Sequence, residues 1–255
     1  MKTLRNKHSL GGFTLLEILA AVGILAVVVA LLFPVIGAIR QTSTKADSIS
    51  KLRSITAAMN TYVNANGGRL PREDVKGKDN WEAARSSEAD DAWYNALPRL
   101  LGQPGVGDYA DRKSSFYQQD NVLYLRAAEY PGDYSGFREP IFAYAMNSRL
   151  QRRGDDGGKD EGKILQVVDP VRTVAFLESG IPGEPEPMPG TSSFDGSPKA
   201  NPRDFVTRYG KTGLVSFLDG RVESIEVDEL MTRGGKIHVP QVNYIWTIDP
   251  KEDPN

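Results

Sequence analysis

Cysteine is absent from the 255 residues, and histidine occurs twice. A disulfide framework, a thiolate metal site and a cysteine nucleophile are thereby excluded. One histidine, His8, sits in the basic N-terminal stretch, which leaves His238 beside Val239 and Pro240. A lone histidine of that kind is far more often structural than catalytic. The chain also lacks the glycine-serine-glycine hydrolase elbow, the phosphate loop and the zinc-helix motif. Adjacent carboxylates such as Asp90 and Asp91 point apart on a strand and diverge on a helix, so they make a poor acid–base pair. No enzymatic activity is expected. Basic residues are not in excess either, with 31 Lys and Arg against 33 Asp and Glu. A nucleic-acid footprint is therefore not expected.

The first twelve residues contain no acid, only Lys2, Arg5 and Lys7, and Gly11 and Gly12 close them. An apolar run of 21 residues follows from Phe13 to Phe33, interrupted by Thr14, Glu17 and Gly23. At about 1.5 Å per residue this spans roughly 30 Å, the thickness of a bilayer hydrocarbon core. The run predicts a single transmembrane helix, and the basic flank places the N-terminus in the cytoplasm. A secretory signal peptide cut near Val35, Ile36 and Gly37 is the competing reading. It fits less well, because its apolar core would be shorter and the helical pattern continues past that point. Glu17 needs a reason, since an ionised carboxylate in lipid costs about 2.5–3.5 kcal/mol even on lenient scales. Either it snorkels to the headgroups, or it pairs with a cation in its own layer. Cleavage between Gly12 and Phe13 would supply one, the new amine of Phe13.

Gly12-Phe13-Thr14-Leu15-Leu16-Glu17 resembles the class III signal of type IV pilins and type II secretion pseudopilins. The resemblance implies cleavage after Gly12 by prepilin peptidase, N-methylation of Phe13, and a role for Glu17 in packing subunits into a filament. Pro34 falls where many pilins carry a helix-weakening proline; inside a helix such a residue removes one hydrogen bond. The fold so implied is α+β and type IV pilin-like, with a long N-terminal helix, transmembrane then amphipathic, packed on a β-rich globular head. The implied partners are homo- and hetero-oligomeric pilin or pseudopilin subunits, the prepilin peptidase, an inner-membrane assembly platform and the lipid bilayer. The implied location is the bacterial inner membrane, single-pass, with the head periplasmic.

Past the apolar run, Ala46, Ile49, Leu52, Ile55, Met59 and Tyr62 recur at helical spacing, with Lys45, Asp47, Lys51 and Arg53 off that stripe. Asn66-Gly67-Gly68 supplies a stop. The expected organisation is a leader at 1–12, a transmembrane half-helix at 13–35, an amphipathic half at 36–68 and a head at 69–255. Within the head, 69–90 reads as a polar loop and Asp91 to Pro98 as a capped short helix. Strands are expected at 121–126, 141–146, 172–178 and 242–248. Asp219-Gly220 between two alternating runs predicts a hairpin. That hairpin also resembles the C-terminal motif of planctomycete and verrucomicrobial pseudopilin-like proteins, which runs histidine, nine intervening residues, then Asp-Gly. Tyr209 holds the histidine's place here.

Two loops invite sharper readings. Asp155, Asp156, Asp160 and Glu161 lie among glycines, the ingredients of a calcium loop, but their spacing is not that of an EF-hand and a solvated loop is the better reading. No cofactor is otherwise expected. The proline-rich segment 181–202 reads as a semi-extended surface loop with little packing. The chain is expected to be a structural filament subunit. A membrane-anchored ligand-binding module that forms no filament is the alternative, and an enzyme head on a similar anchor a third.

Overall fold

The computed structural model describes residues 14–75, 80–132, 137–153, 159–160, 162–188 and 194–255, the side chains of 31–40, 152–153 and 159–160 excepted. Helix α1 runs Leu15–Ala65. The chain forms two compact units, Met1–Ser43 and Thr44–Asn255, and the division falls within α1.

In the first unit every described side chain of α1 is exposed, Leu15 and Leu16 by 80% and 79%. Among the described residues, however, no helix is long and apolar enough to cross a membrane. The expected transmembrane half-helix, the pilin-like fold class built on it and the single-pass inner-membrane location are therefore corrected. The architecture is an α+β fold around a mixed five-stranded sheet.

The second unit holds that sheet. Its strands are β1 (Tyr144–Asn147), β4 (Val174–Glu178), β5 (Lys199–Ala200), β6 (Thr212–Phe217) and β7 (Val222–Glu226), in the order β5-β1-β4-β6-β7. Among the described strand pairs of this sheet, β1–β5 alone is parallel. A separate small ribbon joins β2 (Arg152–Arg153) to β3 (Lys159–Asp160). Among the described residues the unit also holds three α-helices, α2 (Trp81–Arg85), α3 (Trp93–Leu100) and α4 (Val227–Leu230).

Both faces of the sheet are covered. One face contributes Tyr144, Met146, Phe176 and Leu214 to a core shared with Leu52, Ile55 and Met59 of α1 and with Trp93 of α3. The other contributes Ala145, Leu177, Val215 and Phe217 to a second core, closed by Phe205, Leu230 and Trp246. Burial on both sides explains why β4 reads as an unbroken apolar run rather than an alternating one. A bulge between Val174 and Phe176 shifts the alternation, so that Ala175 and Phe176 both join the first core.

The stripe on α1 is buried at Leu52, Ile55 and Met59 and half-buried at Ile49 and Tyr62, but Ala46 is exposed. Lys51, expected on the polar face, is instead 9% exposed. Its ammonium donates to the carbonyls of Gln119 and Tyr124, at 2.8 Å each. The helix stops at Ala65, where Gly67 and Gly68 take positive φ and the Gly68 N–H donates to the Val63 carbonyl.

Several expectations for the head are corrected. Segment 121–126 is not a strand: the Asn121 side chain donates to Phe116 O and accepts from Leu123 N, a local turn that displaces ladder pairing. Segment 242–248 has only an isolated bridge, Ile245 to Thr173, because the Gln241 side chain takes the Trp246 N–H. The presumed loop 69–90 buries Leu70, Val75, Trp81 and Ala84. Helix α3 starts after Ala92 with no side-chain cap. Asp91 instead accepts from Arg72 Nε at 2.8 Å. The hairpin forms as expected between β6 and β7, closed by Gly220 at φ +93°.

Candidate functional site

At the start of α1, Thr14 and Glu17 close on each other. The Thr14 N–H and hydroxyl donate to Glu17 Oε2 at 2.8 and 2.9 Å, and the Glu17 N–H reaches Thr14 Oγ1 at 3.3 Å. This is a reciprocal capping arrangement, which satisfies donors that a helix start leaves without partners. The two bonds from Thr14, backbone first, hold the Glu17 carboxyl below its ordinary pKa. Glu17 is thus engaged within its own chain. The threonine–glutamate spacing before an apolar run carries that signal in the sequence, and the pairing of Glu17 with an amine passes over it.

Gly12, Phe13, Asp155, Asp156 and Glu161 lie outside the described residues, as do the side chains of Pro34 and Asp160. The backbone of Pro34 falls within α1, and that of Asp160 within β3. Among the described residues no group of three His, Asp or Glu could hold a metal ion. His238 hydrogen-bonds the Asp228 carbonyl at 2.9 Å. It lines a cavity of about 200 Å³ with Glu229, Gln241 and Tyr244. Those neighbours already have partners: Tyr244 donates to Glu229, and Gln241 donates to Thr247 and accepts from Trp246.

The densest polar arrangement of the head is buried beside the sheet. Glu178 ends β4 with no exposure, a charged residue closing a wholly buried strand. Its Oε1 accepts from the Tyr209 hydroxyl at 2.9 Å, and its Oε2 from the Leu214 N–H at 2.9 Å. Arg208, side chain 3% exposed, stands 3.7 Å from the same carboxylate. Four of its N–H donors go elsewhere, to Glu184 at 2.8 and 2.6 Å and to the carbonyls of Ala143 and Ser179 at 2.7 Å each, and Nη1 is the nitrogen nearest Glu178 Oε1. Glu184 accepts in turn from the Ile181 N–H. The proline-rich segment, expected to pack little, is therefore pinned at its start, with Ile181 fully buried.

One guanidinium thus serves two buried carboxylates. Burial pushes the Glu178 carboxyl up to about 7, against the pull of Arg208, Tyr209 and the Leu214 N–H. Burial and the neighbouring Glu178 raise Tyr209 well above an ordinary phenol. On the α1 side, Lys45 Nζ sits 5.4 Å over the Tyr209 ring and donates to Ser224 Oγ at 2.8 Å. Tyr209 therefore touches both the end of β4, through Glu178, and α1, through Lys45. Sequence reading isolates Tyr209 but not Glu178, Arg208 or Glu184, whose partners come from distant segments. The one visible hint is a glutamate terminating the apolar run of β4. No protein-family model, curated protein or solved structure matches the chain.

Proposed function

We propose that the protein is the structural subunit of a pseudopilus- or type IV pilus-like filament, cleaved after Gly12 and assembled through its N-terminal helix. The observation that supports this reading is the surface of α1 between Leu15 and Ala30. Leu19 is 67% exposed, and Val22, Ile24, Leu25 and Val27 are exposed with it. These residues point in all directions around the axis rather than along one stripe. A helix apolar all round is stable only when covered all round. Copies of the same helix supply that cover, and Glu17, capped by Thr14, enters the bundle without a bare charge.

The absence of cysteine makes the test direct. The double variant Leu16→Cys/Leu25→Cys, expressed in a host with an assembly system and oxidised in place, should give a ladder of disulfide-linked multimers. A heterologous contact joins two different heights of neighbouring helices, so either single variant should give at most dimers. Intact mass should show a chain beginning at methylated Phe13. Monomer alone on oxidation, or a mature chain beginning at Met1 or Ala38, would overturn the reading.

A further inference from the structure

We draw no further inference here: the strongest candidate, the exposed apolar patch that Leu165, Val168 and Val171 form with Val242 beside the start of β4, carries nothing because nothing in the structure shows what covers it.

Discussion

Thr14 and Glu17 show how one side chain can be claimed by two roles. The carboxylate that a filament would use for register is held in the single chain by the Thr14 N–H and hydroxyl. Thr14→Val removes the hydroxyl and keeps the backbone donor, so the Glu17 carboxyl should titrate higher than in wild type, toward the ordinary value. The sign follows from its lowered pKa: the contribution of the contact is present above the ordinary carboxylate range and fades as pH falls. Thr14→Ser keeps the hydroxyl and should leave the titration where it is. Carbon-13 NMR of the Glu17 carboxyl is the measurement, and a Thr14→Val curve superimposed on wild type would show that the hydroxyl has no part in the cap.

At the scale of elements, close approach rather than propensity decides what β6 tolerates. Gly213, opposite Ile225 of β7, has an ordinary φ, yet a Cβ built on it would collide with the Val206 carbonyl and the Phe205 ring. Gly213→Ala must push that loop away from the sheet, and Arg208 is carried on the same loop. The expected cost is about 1–3 kcal/mol, the usual range for overpacking a filled interior, read as a lower midpoint in urea unfolding. A midpoint equal to wild type would mean the loop yields freely. The same contrast explains what could be read from the sequence. The β6–β7 hairpin and β4 were legible because Asp219-Gly220 and the run from Val174 carry local signals. The 121–126 turn and the 242–248 segment misled because Val122, Leu125, Ile245 and Trp246 are apolar for packing rather than for pairing. The Arg208 hub stayed hidden because its partners Ala143, Ser179 and Glu184 are brought together only by the closed fold.

On the scale of the whole molecule, the two units ask different things of one helix. Leu52 is fully buried against the sheet, whereas Leu19, on the same helix, is 67% exposed. The same substitution should therefore give opposite readouts. Leu52→Ala should lower the stability of the Thr44–Asn255 unit by about 2–5 kcal/mol, the range for emptying a packed leucine site. Leu19→Ala should change it by less than about 0.5 kcal/mol, as surface changes do, but should shorten the disulfide ladder formed by the Leu16→Cys/Leu25→Cys background. Trp81, Trp93 and Trp246 are all buried in the second unit, so tryptophan fluorescence in urea reports that unit directly. A Leu19→Ala chain with an unchanged ladder would mean that the apolar surface of α1 is not what joins subunits. A Leu52→Ala chain that unfolds like wild type would mean that the seat of α1 contributes little to the head.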